Sequence, residues 1–243
     1  MALTDKVEIP RRTMVLFFVI DTSGSMDGSK IGAVNAAIEE VIPAVRDVSD
    51  ENADAQIKIA ALEFSSGAHW ITANGPVEAE QFRWNHLEAA GVTDFGAACK
   101  ALNDKLSTKA FMQEATGSFA PAIFLLSDGE PTDDWASALA ALRQNNWFKA
   151  AVKVAVAIGD DANKDVLKEF TGTMEAVLET HSAAMLKKMI KFVSVRASQV
   201  ASKGSNVAGD DLGDEQKQQE LNANLQEFKE EVAVAPDNDQ TDW

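Results

Sequence analysis

The chain has 243 residues, of which 46% are hydrophobic, and it carries a formal net charge of −16. That length suffices for one sizeable core with tails or for two small cores, and the acidic balance disfavours nucleic acid and anionic membrane surfaces as partners. The longest apolar run, at 14–20, is far shorter than the roughly 20 residues that a membrane-spanning helix needs. Since the N-terminus does not resemble a secretory signal and Cys99 is the only cysteine, we expect a cytoplasmic protein.

Predicted strands and helices alternate along most of the chain after an N-terminal arm at 1–12. Continuous apolar runs indicate strands buried on both faces at 14–20, 120–126 and 152–158. Further strands are predicted over 56–64, over 68–72 as its antiparallel return through a turn at 65–67, over 82–84 as a short edge strand, and over 174–178. Apolar residues at helical spacing predict helices that begin near Ser29 and Asp94 and that cover 133–144, 163–170 and 183–198. Pro43 is expected to kink the first helix or to loosen its last turn.

Alternation of this kind requires crossover connections between parallel strands. The sequence therefore predicts an α/β domain over 13–198, with a Rossmann-like, doubly wound and mainly parallel sheet. The turn at 65–67 adds one antiparallel edge strand, and helices should cover both faces of the sheet.

The composition changes near residue 200, because residues 197–243 hold three basic and 11 acidic side chains. We interpret 199–243 as an acidic linker and tail, of which 233–243 should be disordered. Within it, an amphipathic helix over 214–232 would place four apolar side chains on one face, namely Leu221, Leu225, Phe228 and Val232. Three outcomes stay open for this helix: it folds back onto the domain, remains largely unfolded alone, or docks on a partner.

A polar loop, Asp-Thr-Ser-Gly-Ser at 21–25, directly follows the first apolar strand. In open α/β sheets, ligands bind at the carboxyl ends of the strands, and a second polar loop at 127–129 should lie on the same edge. A third loop, at 91–94, needs only to cross over that edge. One carboxylate and two hydroxyls at alternate positions form a set of hard oxygen ligands, which suits Mg²⁺ better than Zn²⁺.

Five residues on these three loops resemble the metal-ion-dependent adhesion site of the von Willebrand factor A (VWA) family: Asp21, Ser23, Ser25, Thr93 and Asp128. The resemblance covers roughly 12–195, and Gly24 and Met26 also fit its pattern. It implies the VWA fold and a site for Mg²⁺, with Mn²⁺ or Ca²⁺ as substitutes. It also implies a recognition module rather than an enzyme, in which a protein partner supplies an Asp or Glu carboxylate to the metal.

A finer likeness links the segments 125–135 and 91–96 to the TerY-like proteins of bacterial tellurium-resistance and stress operons, although a second Gly is more usual where Val92 stands. This likeness implies a cytoplasmic adaptor in a stress response. By analogy, a PP2C-type phosphatase and a kinase-like protein are its candidate partners.

On chemical grounds, Ser23 and Ser25 should reach the ion directly, Thr93 directly or through water, and Asp21 and Asp128 should hold coordinated waters. Three alternatives stay open. The serines could cap the following helix while Asp128 serves as a turn residue. Asp21 could be the nucleophile of a Mg²⁺-dependent phosphatase or phosphotransferase, although that class wants a second Asp where Ser23 stands. An extracellular adhesion module is the third alternative. Asp133 is expected to cap the helix that follows it.

Overall fold

The computed structural model describes residues 11–53, 55–113, 117–160, 162–201 and 211–234, with the side chains of 215–231 in the last segment. Its seven strands are β1 (Arg12–Asp21), β2 (Ala55–Ser65), β3 (Gly67–Trp70), β4 (Val77–Glu78), β5 (Ala122–Ser127), β6 (Val152–Ile158) and β7 (Val177–Thr180). Its α-helices within those residues are α1 (Ser29–Glu51), α2 (Phe95–Lys105), α3 (Trp135–Leu142), α4 (Asn146–Ala150), α5 (Lys164–Thr171), α6 (Ala183–Ala201) and α7 (Asp211–Val234). None of these described helices is both long and apolar enough to cross a membrane.

Six of the seven strands form a mainly parallel sheet in the order β3-β2-β1-β5-β6-β7, and β4 joins it beside β2, which confirms the predicted fold class. β3 is the predicted antiparallel edge strand, and the two-residue β4 also pairs antiparallel with β2. The chain leaves β1 toward β2 on one side and later returns to β5 on the other. The crevice between the carboxyl ends of β1 and β5 is therefore a switch point of the topology, where open α/β sheets bind ligands.

Helices cover both faces of the sheet because the side chains of β1 alternate between two cores. Met14, Leu16, Phe18 and Ile20 face the core that α1, α6 and α7 complete. Val15, Phe17 and Val19 face the core formed with α2, α3 and α5. Because an interior strand of such a sheet is buried on both sides, its sequence is a continuous apolar run, and β1 could be predicted from that run.

Two local predictions in the first half of the chain are wrong. Pro43 does not loosen the last turn of α1, which continues for eight residues beyond it, to Glu51, whereas a kink at Pro43 stays a prediction. Buried apolar residues on both sides of the proline, including Val41 and Val45, hold the helix against the sheet. The short edge strand lies at Val77–Glu78 rather than at 82–84, because the N–H of Phe82 donates to the carbonyl of Glu78 in a turn.

Helix α7 covers the segment for which a helix over 214–232 was predicted, and it lies against the domain. Leu221 and Leu225 are fully buried, and the ring of Phe228 stacks on Phe192 of α6 with 4.3 Å between centroids. The side-chain amide of Gln218 both donates to and accepts from the backbone of Lys153 in β6. This is the first of the three open outcomes, in which the helix folds back onto its own domain.

Several predictions fall on parts of the chain outside the described residues. They concern most of the N-terminal arm, the linker at 202–210 and the end of the tail at 235–243. The side chain of Val232 also lies outside the described part of α7.

Candidate metal centre

Asp21 is the last residue of β1, and its carboxylate is fixed by two hydrogen bonds from its own chain. Oδ1 accepts the backbone N–H of Ser23 at 2.8 Å, and Oδ2 accepts the hydroxyl of Ser127 at 2.6 Å. The register of β1 and β5 pairs Ile20 with Leu126, so Ser127 follows directly alongside Asp21. Burial raises the pKa of Asp21 above its ordinary value, although the hydrogen bonds from Ser127 and Ser23 oppose the shift.

The loop after Asp21 is tied to the loop that carries Thr93. The N–H of Gly24 donates to the carbonyl of Gly91 at 3.0 Å, and the N–H of Ala90 donates to the carbonyl of Thr22 at 2.8 Å. A Cβ at Gly24 would lie only 3.2 Å from that Gly91 oxygen. Glycine at 24 therefore allows the two loops to approach each other closely.

Ser23 and Ser25 present their hydroxyls side by side, with 3.0 Å between the two Oγ atoms. Two adjacent ligands of an octahedral Mg²⁺ lie about 2.9 Å apart, given metal–oxygen distances of about 2.0–2.1 Å. Within the described residues, the Ser23 side chain makes no capping hydrogen bond to the 3-10 turn that follows it. The spacing thus fits a ligand pair, while the alternative of a helix cap finds no support at Ser23.

Thr93 brings a third hydroxyl to the same place. A Cβ built on Gly129 would lie 3.2 Å from Thr93 Oγ1 and 3.4 Å from Ser25 Oγ, so both hydroxyls border the space above Gly129. Two hydrogen bonds with Thr132 hold the Thr93 backbone: its N–H donates to Thr132 Oγ1 at 3.2 Å, and its carbonyl accepts the Thr132 N–H at 2.8 Å. Ser25 is exposed while Thr93 is buried, so the group opens to solvent on the side of Ser25.

Asp128 closes the group from the end of β5. Its side chain is fully buried, its Oδ1 accepts the Ser25 hydroxyl at 2.7 Å, and its Oδ2 lies 2.5 Å from the ammonium nitrogen of Lys30. All five residues singled out in the sequence therefore meet at one edge of the sheet. Their donor set consists of three hydroxyls and two carboxylates, which is the chemistry of a hard divalent cation site.

Three residues that support this group were not predicted from the sequence: Lys30, Ser127 and Thr132. Lys30 could have been singled out from the sequence, because a basic residue in the first turn of a helix is unfavourable to the macrodipole unless an acidic group lies nearby. Ser127 could have been found from strand register, which places it alongside Asp21. Thr132 contacts Thr93 although the two are 39 residues apart in the sequence, and no local sequence pattern predicts that contact.

Asp133 caps a different helix from the one predicted. Its two carboxylate oxygens accept the N–H groups of Gly96 at 2.9 Å and Ala97 at 3.0 Å, at the start of α2. The prediction that it caps the following helix, α3, is therefore wrong. The loop after β5 folds back over α2, which lets Asp133 satisfy free N–H donors in the first turn of that helix.

A family model described as the von Willebrand factor type A domain matches residues 16–192 of the chain. No significant match to a curated protein sequence was found. The family match covers most of the described sheet and all three loops of the candidate metal centre.

Solved structures with the same fold are distant in sequence. The chain is similar to a von Willebrand factor type A protein from Catenulispora acidiphila, at 18% identity and a TM-score of 0.56 over 77% of this chain and 43% of that one. It is also similar to the pilus adhesin SpaC from Lactobacillus rhamnosus GG, at 12% identity and a TM-score of 0.60 over 78% of this chain and 30% of that one.

A third similar structure is proximal thread matrix protein 1 from the mussel byssus, whose MIDAS motif is occupied by zinc. The identity is 18% and the TM-score 0.53, over 77% of this chain and 46% of that one. At such identities these likenesses show the fold alone. The chain spans less than half the length of each of these three proteins.

Proposed function

This chain belongs to the von Willebrand factor type A domain family, and on that premise we propose that it is a metal-dependent protein-interaction module. The observation that carries the proposal is the convergence of the Ser23, Ser25 and Thr93 hydroxyls, with Asp21 and Asp128 beside them. A divalent cation among these oxygens would supply a positive charge with an open position for a carboxylate oxygen of a protein partner.

Each residue has a distinct role in this proposal. Ser23, Ser25 and Thr93 offer neutral oxygens, so they bind the cation without cancelling its charge. Asp21 and Asp128 orient coordinated waters and the serine hydroxyls from behind. Mg²⁺ fits the hard oxygen set, and Mn²⁺ or Ca²⁺ would substitute for it.

The geometry gives less support to the reading of Asp21 as the nucleophile of a phosphatase or phosphotransferase. A nucleophilic carboxylate must reach a substrate atom with a free oxygen. Asp21 is fully buried, and each of its carboxylate oxygens already accepts a hydrogen bond. Ser25, in contrast, is exposed and directed toward the same group of oxygens.

A narrower proposal concerns the biological setting. The likeness of 125–135 and 91–96 to TerY-like proteins supports a cytoplasmic adaptor in a bacterial stress response, with a PP2C-type phosphatase or a kinase-like protein as the partner. The same site would also serve an extracellular adhesion module. Affinity capture from the native cells, with and without EDTA, separates the two settings by the identity of the partner that is lost on chelation.

Metal calorimetry on single-hydroxyl variants tests the proposed function. The wild-type chain should bind one Mg²⁺, and Ser25→Ala or Thr93→Val should weaken that binding by roughly tenfold or more, because each removes one oxygen ligand. Ser107→Ala is the matched control, since Ser107 follows the far end of α2 and should leave binding unchanged. Wild-type affinity in both site variants would overturn the proposal.

A further inference from the structure

Lys30 places a positive charge beside a site that is proposed to bind a metal cation. Its ammonium nitrogen lies 2.5 Å from Oδ2 of Asp128, whose side chain is fully buried, and its own side chain is 18% exposed. The other oxygen of Asp128 accepts the hydroxyl of Ser25. Asp128 thus contacts both the Lys30 ammonium and Ser25, which is one of the proposed metal ligands.

The position of Lys30 in α1 is unfavourable unless a partner compensates it. Lys30 is the second residue of the helix, where the macrodipole favours acidic side chains over basic ones. The end of the side chain also lies against Gly159 after β6, where a Cβ would come within 3.2 Å of both Cε and Nζ of Lys30. Backbone and packing therefore hold a positive charge at the back of the site.

The charge of the site follows from this contact. Asp21 and Asp128 alone would balance a divalent cation and leave the occupied site neutral. The Lys30 ammonium offsets one of these two carboxylates, so the cation, Asp21, Asp128 and Lys30 together carry a net positive charge. Because both carboxylates are buried, that charge acts in a medium of lower dielectric than water and attracts an anion more strongly.

From this arrangement we infer that Lys30 is a specificity-determining residue of the site. It lowers the affinity of the site for the divalent cation, and it leaves the occupied site with the positive charge that selects an acidic side chain of the partner. The inference rests on the proposed function, since it concerns the charge of the same site. Before the cation binds, the same ammonium compensates the buried carboxylate of Asp128.

Three variants separate the charge of Lys30 from its packing. Lys30→Met keeps an unbranched side chain of similar size and removes the charge, whereas Lys30→Arg keeps the charge. Lys149→Met is the matched control, because Lys149 is an exposed residue of α4, which precedes β6 at the opposite edge of the sheet. Circular dichroism first establishes that each variant is folded.

Calorimetry with Mg²⁺ and thermal melting in EDTA are the first two measurements. Lys30→Met should bind Mg²⁺ roughly tenfold or more tightly than the wild type, as expected when a nearby unit charge is removed at an effective dielectric of about 20. The same variant should melt at a lower temperature than the wild type in EDTA, because Asp128 loses its cation. Lys30→Arg and Lys149→Met should match the wild type in both.

A third measurement uses hexaglutamate as a carboxylate probe, with hexaglutamine as its neutral counterpart. The Mg²⁺-loaded wild type should bind hexaglutamate more tightly than loaded Lys30→Met does, although the variant holds its metal more firmly. A residue with a purely structural role would weaken the binding of metal and peptide together. The opposite signs of the two effects are therefore diagnostic of charge.

Failure of this inference is distinguishable from failure of the proposed function. If the wild type binds Mg²⁺ through its hydroxyls but Lys30→Met binds it equally or less tightly, the role of Lys30 is overturned and the metal site stands. Equal binding of hexaglutamate by the loaded wild type and variant, undetectable binding by both included, overturns the selection of acidic partners. If the wild type binds no divalent cation, both proposals fall.

Discussion

At the scale of single residues, this molecule buries two kinds of polar group in different surroundings. Asp21 and Asp128 are ionisable, removed from water and satisfied by hydroxyl or ammonium donors. Cys99, on the helix that follows the Thr93 loop, is equally buried but lies among apolar side chains in the core beneath α2. The carboxylates are arranged for chemistry with a cation, and the thiol is arranged for packing.

Cys99 should be unreactive in the folded chain. Burial raises the pKa of its thiol to about 12, with the charge of Asp133 adding to the shift and Arg143 opposing it. Because the thiolate is the reactive form, Ellman's reagent at pH 8 should label the native protein only as fast as the protein unfolds, and at once in guanidinium chloride. Thr108→Cys in a Cys99→Ala background is the control that labels at once, because Thr108 is exposed. Immediate labelling of native Cys99 would contradict its burial.

The Cys99 thiol should also make the free energy of unfolding depend on pH under alkaline conditions. The folded state keeps the proton that the unfolded chain releases above a pH of about 9, so ionisation of Cys99 favours the unfolded state as pH rises from there toward 12. Below pH 9 both states hold the proton, and the contribution to the free energy of unfolding is constant. Cys99→Ala should show a shallower loss of stability above pH 9.

At the scale of elements, the interior strands were predictable because a run of about seven consecutive apolar residues is typical of a strand that is buried on both faces. β6 was predicted at its observed bounds, and α1 at its observed start. The five-residue helix α4 was missed because it has no apolar period, and its start depends on the side chain of Asn145 accepting N–H groups of Trp147 and Phe148. Short elements of this kind are defined by single hydrogen bonds rather than by pattern.

Helix α7 should contribute to the free energy of unfolding of the domain, and a substitution on its buried face tests this. Leu225→Ala should lower the free energy of unfolding by about 2–5 kcal/mol, because Leu225 is fully buried and its removal leaves a cavity. Glu227→Ala, on the exposed side of the same helix, is the matched control and should change it by less than about 0.5 kcal/mol. Urea unfolding measures both, and equal stability of Leu225→Ala and wild type would contradict the docked helix.

At the scale of the whole molecule, a parallel sheet turns three loops far apart in sequence into one site. Asp21 and Asp128 could be predicted as neighbours because both follow interior strands, and parallel strands present their carboxyl ends at one edge. The loop at 91–94 was expected only to cross over that edge, and a family resemblance added Thr93 to the predicted ligands. Lys30 is marked in the sequence as a basic residue in the first turn of α1, but its partner Asp128 is 98 positions away, and periodicity does not reveal that pairing.

The central claim is that a divalent cation binds among the hydroxyls of Ser23, Ser25 and Thr93. Crystals of the full chain grown with Mn²⁺, which replaces Mg²⁺ and scatters X-rays anomalously, test it directly. The account predicts one strong anomalous peak at bonding distance from these three oxygens, and its loss in crystals of Ser25→Ala. A strong peak elsewhere on this acidic chain, with none at the three hydroxyls, would contradict the account.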